Sequence, residues 1–402
     1  MAKNNYAFTT RPYINIALTT VLISLLAISQ TMALLTSNVI IGNTGYIGYS
    51  SISPLHVEGN KIKDSAGNIV NLRGVNKVEF ADDPDGIWMG NTMWSDVNVK
   101  AELDIMKSWG INVIRCHLAV EHWKYNMNQP YAAINHREAI KRLLLFAAER
   151  GIYVILDGYR VTNYWNGGDQ DPLPYPPYQT SQGASSIISS VQDFINWWVS
   201  IASELKSYNN VIFELWNEPY GDQNAFQSWV SVSQQCINAI RAAGATQLIV
   251  FQWDMAAWVN LNFPNNANDL IWVYTAGLTD PLGNIVYSTH VYRFHNHIHY
   301  SLPTYLQAWN YTDIDRAFQY MKYYEIAQNY PLFIGEIGAA MTYTGTELER
   351  ELAFLNNSLS LFGQRGISYA VFWWRDIGVF PLYSGNFVAN QAGQVLRRHL
   401  LG

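Results

Sequence analysis

Between Asn71 and Trp373 the chain alternates eight times between a short apolar run and a longer stretch with helical spacing or a long crossover. The apolar runs are Asn71–Asn76, Val113–His117, Tyr153–Asp157, Val211–Pro219, Gln247–Gln252, Asn284–His290, Leu332–Glu336 and Ile367–Trp373. Helical spacing covers 98–109, 135–150, 186–207, 224–242, 312–328, 346–362 and 391–400, while 254–283 is irregular. Continuous β-branched and aromatic runs suit strands buried on both faces of a parallel sheet. Parallel strands need long crossovers, and eight such units that close on themselves predict an α/β fold, the (β/α)8 or TIM barrel. Ahead of the first strand, the turn signals Gly59-Asn60 and Ala66-Gly67-Asn68 separate short alternating runs and predict a small N-terminal hairpin.

The first 35 residues read differently. Lys3 and Arg11 precede an apolar run from Ile14 to Leu35, and Ala27-Ile28-Ser29 is an acceptable small-residue cleavage site. The run is also long enough for an uncleaved membrane anchor. Residues 36–53, rich in Ser, Asn, Gly, Thr and Ile, read as a tether, and 54–402 as a single barrel domain. The bulk of the chain is therefore expected outside the cytoplasm, secreted or anchored by its leader, as a monomer. A net charge of −6 with only 14% charged residues suggests neither nucleic acid nor acidic lipid as a partner. Cys116 and Cys236 offer neither a disulfide framework nor metal-ligand spacing, and Cys116 falls in a strand as a small core filler.

Two strands deliver a carboxylate. Val211-Ile212-Phe213-Glu214-Leu215-Trp216-Asn217-Glu218-Pro219 stops where proline can no longer donate to the ladder, leaving Asn217 and Glu218 at its carboxyl end. Pro331-Leu332-Phe333-Ile334-Gly335-Glu336-Ile337-Gly338 does the same with Glu336. The carboxyl ends of barrel strands are where such folds place their chemistry, and strands four and seven lie nearly across from one another. Two facing carboxylates are what glycoside hydrolysis needs, one protonated to assist the leaving oxygen and one ionised to attack the anomeric carbon. They could instead bind a divalent metal, although no third carboxylate or matched histidine pair accompanies them. Fifteen Trp and 26 Tyr supply flat apolar faces with polar rims that match the axial C–H faces of sugars, or simply fill a large core.

These stretches, with Leu72-Arg73-Gly74-Val75-Asn76, resemble glycoside hydrolase family 5, of the large clan of retaining (β/α)8 glycosidases, from about Leu55 to the C-terminus. The resemblance implies Glu218 as general acid/base and Glu336 as nucleophile, without a cofactor. It implies that Asn217 binds the sugar 2-hydroxyl and that Arg115 holds the nucleophile ionised, with an ion pair to Glu214 as a structural alternative. In Tyr287-Ser288-Thr289-His290-Val291-Tyr292 it implies that His290 contacts the catalytic residues and Tyr292 bonds the nucleophile. In Phe372-Trp373-Trp374-Arg375-Asp376 it implies Trp373, or else Trp374, as the floor under the sugar. The chain departs from the family at Tyr159, where a His is frequent, and at His117, where a Pro is common; both are expected to line the neighbouring subsite. The second acidic layer holds Glu214, expected as structural support. Trp123, Trp165, Tyr175, Tyr178 and Trp253 fall in loops after strands two, three and five and are expected as stacking platforms along a cleft. His295, His297 and His299 alternate in a loop, a pattern that fits solvated histidines more than a metal patch. The expected substrate is a β-linked polysaccharide and the expected activity a retaining endo-β-1,4-glucanase. A β-mannanase and a non-hydrolysing sugar-binding barrel are the alternatives.

Overall fold

A computed structural model describes residues 39–41, 47–49, 52–78, 94–126, 135–159, 179–180, 183–184, 188, 190–219, 223–253, 270–293 and 309–402. The chain divides into two compact units, Met1–Ser50 and Ser51–Gly402. In the first, within the stretch expected as a tether, Val39–Ile41 pairs antiparallel with Ile47–Tyr49. The expected leader, residues 1–35, lies outside the described residues, among which no helix is long and apolar enough to cross a membrane.

The second unit is a closed barrel of eight parallel strands. In chain order they are β1 (Arg73–Lys77), β2 (Val113–Ala119), β3 (Tyr153–Tyr159), β4 (Val211–Glu214), β5 (Ile249–Gln252), β6 (Ile285–Val291), β7 (Leu332–Ile337) and β8 (Ser368–Val371). Around them run α1 (Asp96–Ser108), α2 (His136–Ala148), α3 (Val191–Leu205), α4 (Gln223–Ala242), α5 (Trp272–Ala276), α6 (Tyr311–Tyr320), α7 (Tyr323–Asn329), α8 (Gly345–Arg365) and α9 (Gln391–Leu401). The amphipathic helices turn one apolar stripe to the sheet, as in α3, where Phe194, Trp197, Trp198, Ile201 and Leu205 are buried. Side-chain caps begin several of them: Asn135, Ser190, Asn310 and Asn390 each accept a backbone N–H of the first turn.

The expected hairpin is present as Leu55–Glu58 paired with Lys61–Asp64. Its Leu55 and Ile62 join Leu72, Val113, Ile155, Ile212, Val250, Val286, Phe333 and Ala370 in one buried apolar cluster. The alternation of strand side chains makes this cluster the lower interior of the barrel, closed from beneath by the hairpin. Further along six of the strands the inward positions become polar: Asn76 four residues past Leu72, and Arg115, Asp157, Glu214, Gln252 and Ser288 two residues past their apolar partners, all buried. The barrel therefore has a dry floor and a polar layer just under its mouth.

β7 breaks that alternation. By parity with Phe333 the inward residue would be Gly335, yet the register shifts by a residue against both β6 and β8, and His290 pairs with Glu336. A β-bulge re-aims a side chain in this way. A Cβ on Gly335 would lie 2.8 Å from His290 Nε2 and 3.0 Å from Ser288 Oγ, so only glycine lets the bulge approach the next strand.

The expected elements differ from the observed ones mainly at their ends. The ladder of β4 stops at Glu214, and Glu218 lies in the left-handed region with φ 48°. The single helix expected over 312–328 is two, broken at Lys322 (φ 66°), where the carbonyl of Met321 accepts the N–H of Leu270 rather than continuing the helix. Gly335→Ala is expected to destabilise by about 1–3 kcal/mol through overpacking. It should also lower activity more than that loss explains, because the His290 ring must move; denaturant midpoints measured beside turnover check this.

Candidate active site

Arg115 rises from β2 into the polar layer and organises it. Its Nε and Nη2 clamp Glu214 at 2.6 and 3.2 Å, and Nη2 also donates to Asn217 Oδ1 at 2.9 Å. Nη1 donates to Asn76 Oδ1 at 3.0 Å, to Glu336 Oε1 at 3.0 Å and to His117 Nε2 at 3.2 Å. The two contacts expected of Arg115, with Glu336 and with Glu214, are thus both present. Asn76 passes the constraint on, because its amide donates to the carbonyl of Gly335 at 2.9 Å and so holds the bulge that carries Glu336.

Glu336 and Glu218 meet over this layer. Glu336 Oε2 accepts the Tyr292 hydroxyl at 2.7 Å, and His290 Nδ1 stands 2.8 Å from Glu218 Oε1 and 3.6 Å from Glu336 Oε2. One oxygen of each carboxylate and the His290 nitrogen lie within 4.8 Å of one another. The Glu218 side chain is 22% exposed and that of Glu336 only 7%, so water reaches the first more readily. The backbone N–H of Glu218 donates to Gln252 Oε1 at 3.1 Å, which supports its left-handed conformation.

Electrostatics separate the groups. Burial pushes the Glu336 carboxyl upward, but the charges of His290 and Arg115 outweigh it and hold the group below the usual carboxylate range. Burial alone would depress His290, whereas the charge of Glu336 and the bond to Glu218 leave it raised. His117 is brought down to about 4 by burial, with Arg115 adding to the effect against the pull of Glu336. Burial, then the Glu336 charge, raises Tyr292 well above the ordinary phenol, so its proton stays to be donated. The donor set Glu218, His290 and Glu336 is the one a divalent ion would use among the described residues. The Arg115 guanidinium already supplies positive charge to Glu336 there.

Of the remaining expected residues, Tyr159 stacks on His117 with ring centroids 4.1 Å apart, at the ends of β3 and β2. Trp373 is half-buried, its indole N–H bonded to the Ile377 carbonyl, and it stacks on Phe372 at 4.8 Å across a cis peptide bond. Phe372, not Trp373, packs edge-on against Tyr292. Trp374 is fully buried and donates to Glu102. Trp253 corrects an expectation: it is fully buried, edge-on to Phe226, because it continues β5 into the helix layer rather than into the mouth. Trp123 is likewise buried, bonded to Ser200. Trp165, Tyr175, Tyr178, His295, His297 and His299 lie outside the described residues. Sequence reasoning missed the parts played by Asn76, Asp157, Gln252 and Phe372. Strand parity would have found the first three, since each stands an even number of residues from an inward apolar position.

Residues 63–377 match the family model for cellulase, glycosyl hydrolase family 5. Among similar proteins, a probable endo-beta-1,4-glucanase B of Neosartorya fischeri is 36% identical over 121 residues, 29% of this chain and 33% of that protein. The matched stretch thus spans about a third of that relative's length. A mannan endo-1,4-beta-mannosidase of Cellvibrio japonicus is 22% identical over 295 residues, 72% of this chain and 53% of that protein. Among solved structures, a beta-glucanase from Saccharophagus degradans aligns with a TM-score of 0.64 at 20% identity, covering 87% of this chain and 93% of that one. A hyperthermophilic endocellulase from Pyrococcus horikoshii aligns with a TM-score of 0.65 at 19% identity, covering 87% and 100%. Both share the fold. The family model covers well over half of the chain, which therefore belongs to the cellulase family, glycosyl hydrolase family 5.

Proposed function

We propose that the protein is a retaining endo-β-1,4-glucanase, with Glu218 as general acid/base and Glu336 as nucleophile. The observation that carries this reading is the approach of the two carboxylates, one oxygen of each within 4.8 Å. Retaining enzymes keep these groups roughly 5–5.5 Å apart, whereas inverting enzymes leave about 6.5–9.5 Å for a water. In the first step Glu218 gives its proton to the glycosidic oxygen while Glu336 attacks the anomeric carbon. The C–O bond to the leaving sugar breaks, and a covalent glycosyl-enzyme forms. In the second step Glu218 takes a proton from water, which attacks the same carbon and releases Glu336, so configuration is retained.

The surrounding groups fit these roles. Arg115 and Tyr292 hold Glu336 ionised and aimed, while the bond to His290 keeps Glu218 oriented. Asn217 Oδ1 is committed to Arg115, leaving Nδ2 to donate to a sugar 2-hydroxyl. Phe372 and Trp373 offer an aromatic floor beside Tyr292. The match to the Neosartorya fischeri endo-beta-1,4-glucanase supports a glucan substrate, and the apolar leader supports action outside the cytoplasm, secreted or anchored. A β-mannanase is the second reading, favoured by the longer Cellvibrio japonicus match.

Reducing-sugar release from carboxymethylcellulose and from mannan discriminates the two substrates. Glu336→Ala is expected to lose at least about 10³-fold in kcat/KM on whichever polymer is cleaved. Equal release by wild type and this variant would make Glu336 the wrong nucleophile, and no release by either would favour a sugar-binding barrel. Glu218→Ala is expected to fail on the polymer, yet with an aryl glycoside whose phenolate leaves without acid assistance it should form the glycosyl-enzyme and release a glycosyl azide of retained configuration when azide replaces the water it can no longer activate.

The pH dependence has a definite sign. Because Glu336 sits below 4.5, kcat/KM should hold as pH falls to that value and decline only beneath it. Tyr292→Phe removes a hydrogen bond to the charged form, an interaction of about 1.5–3 kcal/mol. The nucleophile's pKa should therefore rise, and the acid limb of the kcat/KM profile should move upward by roughly one to two pH units. An unmoved limb would mean that the hydroxyl does not govern Glu336.

A further inference from the structure

Asp157 stands in the polar layer on β3 with no exposure at all. It faces Arg115 and His117 from β2, Glu214 from β4, Glu218 from the turn beyond β4, and Glu336 from β7. One guanidinium here meets three carboxylates, Asp157, Glu214 and Glu336. If all three were ionised, the water-excluded layer would carry an excess of two negative charges around that one cation, at a cost that burial makes severe.

The hydrogen bonds decide which of the three differs. A guanidinium has five N–H groups. All five of Arg115's are engaged: Nε and Nη2 on Glu214, Nη2 also on Asn217, and Nη1 shared among Asn76, His117 and Glu336. Glu214 thus receives two N–H groups, and Glu336 receives one together with the Tyr292 hydroxyl. Asp157 receives none. Its Oδ2 lies 3.0 Å from Arg115 Nη2 but off the N–H directions, and neither of its oxygens has a hydrogen-bond partner. A buried carboxylate that accepts nothing is the costly form, and a carboxylic acid is the affordable one.

We infer that Asp157 is a buried carboxylic acid at neutral pH, and that its neutrality leaves the charge of Arg115 to Glu214 and Glu336. The competing location for the proton is His117, whose Nε2 lies 3.5 Å from Asp157 Oδ2. That nitrogen already faces an N–H of Arg115 at 3.2 Å and must be a lone pair, so the histidine is neutral and its Nε2 is the acceptor nearest the acid. Burial, ahead of the opposing Arg115 charge, raises Asp157 well above the ordinary range, in the same direction. Asp157 is then a positioning residue. Ionised, it would compete for Arg115 and place a second negative charge beside the nucleophile, raising the proton affinity of Glu336.

The proton can be read without turnover, so this inference and the assignment of Glu336, on which its consequence for catalysis rests, fail separately. In full-length protein carrying 13C in the aspartate side-chain carboxyls, one resonance at neutral pH is expected at the position of a protonated acid, and Asp157→Asn should remove it. Asparagine is neutral like the acid, so the acid limb of the kcat/KM profile should stay within about 0.3 pH unit of wild type. A wild-type spectrum in which every aspartate is ionised at neutral pH would overturn the inference. So would an acid limb in Asp157→Asn displaced downward by about one unit or more, the sign of a lost negative charge. Should Asp157→Asn not fold, the wild-type spectrum alone decides, by the presence or absence of the protonated resonance.

Discussion

The buried guanidinium of Arg115 is the interaction on which the rest of the mouth depends. Taking a cation out of water costs several kcal/mol even after relaxation, and the cost is met only when every donor finds an acceptor of good geometry. Here the acceptors come from four different strands and the turn after one of them: Asn76 on β1, His117 on β2, Glu214 on β4, Asn217 beyond it and Glu336 on β7. The barrel must close with all of them in register for the charge to be satisfied. The same contacts that make its burial tolerable therefore also fix the position of the Glu336 carboxylate, and the fold and the candidate site draw on one network.

Around that network the barrel is divided by height. The lower interior is apolar and the hairpin packs against it, so the charges above lie in a low dielectric. The low dielectric strengthens the pull of Arg115 and His290 on Glu336, and it also makes any unpartnered carboxylate expensive. One environment thus acts oppositely on two acids of the same layer: Glu336, which is bonded, falls below its usual range, and Asp157, which is not, rises. Two local irregularities set the carboxylates of the mouth. Glu218 takes a left-handed conformation held by Gln252, and β7 bulges at Gly335, each placing a carboxylate where a regular strand would not.

Much of this was legible in the residues. The eight apolar runs and their crossovers read as a barrel because burial on both faces leaves continuous β-branched and aromatic stretches. Glu218 and Glu336 stood out because an acidic residue that ends such a run has few places to go but the mouth. Arg115, His290 and Tyr292 came through resemblance, and the structure brings each of them to one of the two carboxylates. Trp253 shows the opposite case: an aromatic after a strand reads the same whether it faces a cleft or the helix layer, and here it packs on Phe226. Trp373 and Phe372 differ by one position, and the turn after β8, not their composition, decides which ring meets Tyr292.

By itself the sequence determined the fold class, the strand ends that carry the acids and the types of group around them, because these follow from hydrophobic pattern, proline placement and residue chemistry, all of which are local. Only the tertiary structure decided that the acids approach within one sugar's reach, that Arg115 serves Glu214 and Glu336 together, and that Asp157 is left without a donor. Those outcomes turn on a one-residue bulge and on how five N–H groups are shared among side chains hundreds of residues apart in places. Neither is a property of any single stretch of chain.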